Sequence, residues 1–168
     1  MARLNNPIDE TTGGSEERPA VPLPLTDSAG FLLNRAGRII RTRVTAALSP
    51  LSLTPQELGI LRVLAANGPL SQQALSKIHE IDRTSMVHLI DGLEARQILI
   101  RMPNLNDRRS HLIHLTPRGQ KTLKQALKLA LKEQVDFLSP LSDEEWDTLR
   151  RCLLKLIAYD KAAGSDHI

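Results

Sequence analysis

Asp107, Arg108 and Arg109 stand together in the stretch PNLNDRRSHLIHLTPR, with Arg101 shortly before them. Guanidinium groups grip phosphate oxygens and enter the narrow, negative minor groove of a duplex. A carboxylate is a poor nucleic-acid ligand. Asp107 therefore reads as a group that orients a neighbouring arginine or braces backbone N–H groups. A second constellation precedes it, Arg83, Thr84, Ser85 and His88. These are small polar or cationic side chains at the first turn of a helix, the end that enters a major groove and must approach it closely. Each set has a plain alternative. The first could be a solvated loop, and the second a helix start with a solvated histidine.

The elements around these residues decide between the readings. Apolar runs ILIRM and HLIHL flank an eight-residue polar segment, Pro103 to Ser110, and read as a hairpin with a long, projecting, basic tip. Upstream, Thr54 with Pro55 and Glu57 forms a capping box that starts a helix to about Ala66, with Leu58, Leu61, Val63 and Leu64 inward. Ser71 caps a short helix through Ile78, with Leu75 and Ile78 expected to be buried. After a brief turn, Asp82 caps a helix from Arg83 to about Arg96 whose periodicity puts Val87, Ile90 and Leu93 in the core. Two short helices, a tight turn and a basic hairpin make a winged helix-turn-helix. In that setting the arginine tip becomes a wing.

The flanks are helical. From Ser28 to Leu48, Leu33, Ala36, Ile40, Val44 and Ala47 share an arc, with Arg41 and Arg43 on its borders. Thr116-Pro117 starts a helix to about Leu138, with Leu123, Leu127, Ala130, Leu131, Val135 and Leu138 in a stripe beside Lys121, Lys124, Lys128 and Lys132. Ser142 and Glu145 make another capping box, and the last helix runs to about Ala163. These three helices carry more apolar surface than one small core uses, which predicts a two-fold dimer. The fold class is thus mainly α with a small β-hairpin wing. Its parts are a Pro-rich N-terminal tail (1–25, expected to be disordered), a first dimerisation helix (26–52), the winged helix-turn-helix (53–119), C-terminal dimerisation helices (120–163) and a short tail (164–168).

Composition is consistent with this. Aromatics are 2% of the 168 residues, so the core must be aliphatic. Net charge is only +3, but it is segregated: residues 1–27 carry two arginines against five acids, and residues 28–56 four arginines and no acid. One cysteine, Cys152, excludes an intramolecular disulfide and a multi-cysteine metal site. No apolar run spans a bilayer and no leader pattern opens the chain, so a cytoplasmic protein without membrane contact is expected. His111 and His114, three apart on a strand, point to opposite faces and cannot share an ion. No phosphate loop, zinc-protease helix or nucleophile elbow is present. The sequence predicts no enzyme, no cofactor and no metal.

The segment Leu53 to Gly119 resembles the core of the MarR family of transcriptional regulators, over about two-fifths of the chain. Its most specific parts are DRR, Asp107 to Arg109, and LTPRG, Leu115 to Gly119. The resemblance carries Asp107 and Arg109 over as the wing signature, and Thr84, Ser85, Val87 and His88 as groove-facing positions. The chain departs from the family where His88 and Gly92 stand in place of common arginines, Val87 in place of threonine, and Gln97 in place of the glycine that usually ends the helix. The resemblance implies a homodimeric, ligand-responsive repressor on an inverted-repeat operator in double-stranded DNA. It also implies a small aromatic or phenolic acid effector, for which Arg41 and Arg43 are the candidate carboxylate partners. The rival readings are a winged module that binds proteins rather than DNA, and a metal- or redox-responsive variant using His79, Glu80 or Cys152.

Overall fold

The structure, a computed structural model, describes residues 25, 27–104 and 107–163, with side chains at 25 and over 27–104 and 110–159. Of the expected tails, 1–25 and 164–168, all but residue 25 lies outside the described residues, as do the wing-tip residues 105 and 106. The chain divides into two compact units, residues 1–35 and 36–168. In the first, the Ser28 hydroxyl accepts from the Phe31 N–H at 3.3 Å, at the start of helix α1, Ala29–Leu48.

In the second unit, α1 ends in a 3-10 turn, Ser49–Leu51, followed by Ser52 in the left-handed region at φ 51°. Helix α2, Pro55–Asn67, opens on the expected capping box: the Thr54 hydroxyl accepts from the Glu57 N–H, and the Thr54 N–H donates to Glu57 Oε2 at 2.8 Å. Strand β1 is Leu70–Ser71, helix α3 Gln72–His79, helix α4 Arg83–Ala95, strand β2 Leu99–Asn104, strand β3 Asp107–Leu115, helix α5 Pro117–Leu138 and helix α6 Asp143–Ala163. The capping box of α6 forms as read, with Ser142 N–H on Glu145 Oε2 and Glu145 N–H on the Ser142 hydroxyl.

The sheet is three-stranded and antiparallel, ordered β1-β3-β2, rather than a lone hairpin. Leu70 pairs with Ile113 and Ser71 with Leu112. A two-residue strand has no alternation to read; only its pairing with β3 makes it one. The wing corrects a second expectation. Pro103 pairs with His111 and Asn104 with Asp107, across an irregularity between Pro103 and Asn104. Most of the supposed eight-residue tip is therefore strand, and only positions 105 and 106 lie between the two strands.

The core of this unit is aliphatic, as the composition requires. It gathers Leu48, Leu58, Ile60, Leu61, Leu75, Met86, Ile90, Leu93, Ile113 and Leu123, among others. Three inward assignments shift. Ile78, expected to be buried, is 51% exposed. Met86 takes the core position expected of Val87, which is half-buried. Val63 packs only at the core's edge, while Ile60 is fully buried. Along α5 the apolar stripe leaves the core after Ala130: Leu131 is 59% and Val135 60% exposed, and on α6 Leu156 and Ile157 are similarly open.

Candidate nucleic-acid interface

The helix-turn-helix is built by caps at both ends of its turn. Ser71 caps α3 by accepting from the Ala74 N–H at 3.2 Å. The helix stops at Glu80, which adopts φ 52°, and the Ile81 N–H turns back to the Ser76 carbonyl at 3.1 Å. Asp82 then starts α4 by accepting from the Ser85 N–H at 2.9 Å. Hydrogen bonds from Ser85, side chain first and backbone second, hold the Asp82 carboxyl below its ordinary pKa, so it caps as a carboxylate.

Met86, Ile90 and Leu93 then fix the rotation of α4, all three fully buried. Each such side chain contributes up to about 1.5–3 kcal/mol by burial, against roughly 0.2–0.5 kcal/mol for a surface pair on a helix, so packing decides which face looks outward. That face carries Arg83, Thr84, Ser85 and His88, all exposed, with Val87 half-buried at its edge. Sequence reading chose these positions, and the fold gathers them on one exposed turn and a half.

The far end of α4 is held by Arg96. Its Nε donates to the Gly92 carbonyl at 2.9 Å, and its terminal nitrogens reach the Ser52 carbonyl and Glu57 Oε1. Glu57 is buried, and its two oxygens divide the work, one capping α2 and the other pairing with Arg96. Sequence reading missed this network. A capping-box glutamate gives no sign that its second oxygen serves a residue in another helix. Gln97 follows at φ 59°, so the chain does turn where a glycine was wanted.

The LTPRG stretch proves structural. Thr116 caps α5 by accepting from the Gly119 N–H at 2.9 Å and donates its hydroxyl to the Gln97 carbonyl at 2.7 Å. The Thr116 N–H also reaches the Ile98 carbonyl at 3.2 Å. Gly119 lies directly over that carbonyl: a Cβ there would come closer than the 3.0 Å that real Cβ atoms keep. The start of α5 is thereby seated on the corner between α4 and β2.

The backbone of Asp107, Arg108 and Arg109 lies in β3, and their side chains lie outside the described ones. Arg101 departs from expectation. Read as a wing cation, it is instead ion-paired with two carboxylates of α4, Asp91 at 2.5 Å and Glu94. Between the hairpin and the helix-turn-helix opens a cleft of about 730 Å³, bordered by Gln72, Gln73 and Ser76 of α3, Arg83 of α4, and Arg101, Asn104 and His111 of the hairpin.

The expected effector arginines, Arg41 and Arg43, lie on α1. The Arg43 guanidinium stacks 5.7 Å from the centroid of the Phe137 ring, and Arg41 is exposed. Neither lines that cleft, nor two smaller ones among the described residues, beside Gly68 and His114 and beside Glu80 and His88. Cys152 is exposed on α6. Among the described residues no helix is long and apolar enough to cross a membrane.

Known proteins resemble this arrangement. The MarR family model matches residues 53–111. A transcriptional regulatory protein for the hcr operon of Thauera aromatica is 35% identical over 108 residues, 64% of this chain and 65% of that one, just under two thirds of its length. The HTH-type transcriptional repressor Rv2887 of Mycobacterium tuberculosis is 32% identical over 134 residues, 79% of this chain and 96% of that one. Its crystal structure, a complex with salicylic acid, superposes with a TM-score of 0.64 at 32% identity, covering 79% of this chain and 99% of that one. CouR from Rhodococcus jostii RHA1, bound to p-coumaroyl-CoA, gives a TM-score of 0.71 at 26% identity, covering 79% and 93%.

Proposed function

The chain belongs to the MarR family of transcriptional regulators, and we propose that it works as a homodimeric, ligand-responsive repressor reading an inverted-repeat operator. One observation carries the reading: the first turn of α4 is exposed beside the hairpin while its opposite face is fixed in the core. In this reading Thr84, Ser85 and His88 approach base edges, with Val87 beside them for a thymine methyl. Arg83 and the wing arginines Arg108 and Arg109 neutralise phosphates or enter the minor groove, and Asp107 orients the wing. Gln72, Gln73 and His111 add donors along the cleft, so a phosphate entering it meets groups from helix and wing alike.

The exposed apolar stripes of α5 and α6 support a dimer with a second copy. Two recognition helices would then lie about one DNA turn, roughly 34 Å, apart. Salicylic acid bound to Rv2887 and p-coumaroyl-CoA bound to CouR suggest an aromatic acid or its thioester as effector. Arg41, exposed, is the better candidate partner for its carboxylate. Arg43 is engaged with Phe137.

The test is fluorescence anisotropy with DNA from upstream of the protein's own gene, titrated with salt. Affinity should fall steeply with salt as counterions are released. Arg109→Ala should weaken binding to all sequences and reduce the slope of log K against log salt by about one. His88→Ala should instead alter preference among operator variants. Operator affinity unchanged in Arg109→Ala would remove the wing from the reading.

A further inference from the structure

A helix meant to lie against phosphates is a poor place for carboxylates, yet α4 carries two, Asp91 and Glu94, one and two turns beyond its proposed reading end. Asp91 shares a face with His88 and Thr84, at helical spacings of three and four. Both acids meet Arg101. Glu94 Oε1 accepts the Arg101 backbone N–H at 2.9 Å, Glu94 Oε2 pairs with its guanidinium, and Asp91 Oδ1 takes the other terminal nitrogen at 2.5 Å. β2 is an edge strand of the sheet, and Glu94 takes up this N–H of its open side. The Arg101 side chain is only about a quarter exposed.

We propose that Glu94, through Arg101, is a positioning residue for DNA binding: it locks the wing strand to the recognition helix, and the arginine offsets one of the helix's two acidic charges. This rests on the DNA-binding reading above. The backbone bond distinguishes a lock from a chance surface pair, because it fixes the strand itself and not only a side chain. The hairpin that carries Arg108 and Arg109 is thereby set at a fixed angle to the helix that carries His88. With its charge matched by two carboxylates, Arg101 has none left to release a counterion from DNA.

The two accounts of these residues predict opposite signs. If Glu94 were merely an acid near DNA, Glu94→Gln would tighten binding. If Glu94 positions the wing, the same change weakens binding, by roughly tenfold, the scale of one lost charge-assisted contact. Arg101→Met should weaken binding similarly with the salt slope unchanged, and the double variant should be no worse than either single one. Hydrogen exchange on the DNA-free protein gives a reading independent of binding: Glu94→Ala, which leaves no acceptor, should speed exchange at the Arg101 amide while leaving α2 amides at wild-type rates. Unchanged exchange at Arg101, tighter DNA binding by Glu94→Gln, or a salt slope lowered by about one in Arg101→Met each overturns the lock. Wild-type protein that binds no DNA while Glu94→Ala still frees the Arg101 amide overturns the regulatory reading instead, and upholds the lock as a feature of the fold.

Discussion

One chemical change, glycine to alanine, should have opposite effects at two positions of this chain. At Gly119 the added Cβ meets the Ile98 carbonyl inside 3.0 Å and the Leu115 Cδ2 at 3.1 Å. The leucine methyl can rotate away. The carbonyl cannot, because it already accepts from the Thr116 N–H and hydroxyl at 3.2 and 3.1 Å and belongs to the corner that seats α5. Forcing that backbone aside costs about 3 kcal/mol, the upper part of the range for overpacking, and alanine's better helix propensity returns about 1. The net loss of about 2 kcal/mol lowers Tm by roughly 4–8 °C in a chain of this length. At Gly92, on the exposed face of α4, a Cβ meets nothing within 4 Å. There only the propensity difference acts, and Gly92→Ala should raise Tm by roughly 2–4 °C. Thermal melts by circular dichroism at fixed protein concentration compare the two variants with wild type. A Gly119→Ala melt at or above the wild-type Tm would refute the close approach, and with it the account of LTPRG as a seat for α5.

Gln97→Gly should raise Tm by a few degrees. Its φ of 59° costs a side-chain-bearing residue about 1 kcal/mol that glycine does not incur, and a lowered Tm would mean that the glutamine side chain makes a contact outweighing that strain. His79 predicts a pH effect. Burial pushes its pKa below the ordinary 6.5, and its Nε2 is shielded from solvent with no hydrogen-bond partner among the described residues. The unfolded chain therefore takes up a proton first, so the stability tied to the neutral ring is present above pH 6.5 and is lost as pH falls below it. Melts between pH 7.5 and 5.5 should show a smaller acid-side loss in His79→Gln than in wild type, and equal losses would discount the half-buried ring.

The helix order was legible because its signals are local. Thr54, Ser71, Asp82, Thr116 and Ser142 each announce a helix start by chemistry confined to three or four residues, and each start falls where those residues put it. The exposed quartet Arg83, Thr84, Ser85 and His88 was legible for a related reason: an N-cap fixes the helix start, and buried positions then fix its rotation. What escaped depends on distant partners. Periodicity puts Val87 in the core because it finds a stripe but not its centre, and what α4 packs against selects Met86 instead. β1 needed β3 to become a strand. Arg101 looked like a free cation because Asp91 and Glu94 lie in a different element, and sequence spacing gave no hint that the hairpin folds back onto them. The Glu57–Arg96 pair escaped in the same way.

Arg96 also has a mechanical consequence. By holding the Ser52 carbonyl and Glu57 at one end and the last turn of α4 at the other, it acts as a rivet between the bend leaving α1 and the stem of the helix proposed to read DNA. Any molecule that pries open that bend must either shear the rivet or drag the stem with it. A signal arriving at the bend therefore has a rigid lever, one side chain long, through which to tilt the reading head.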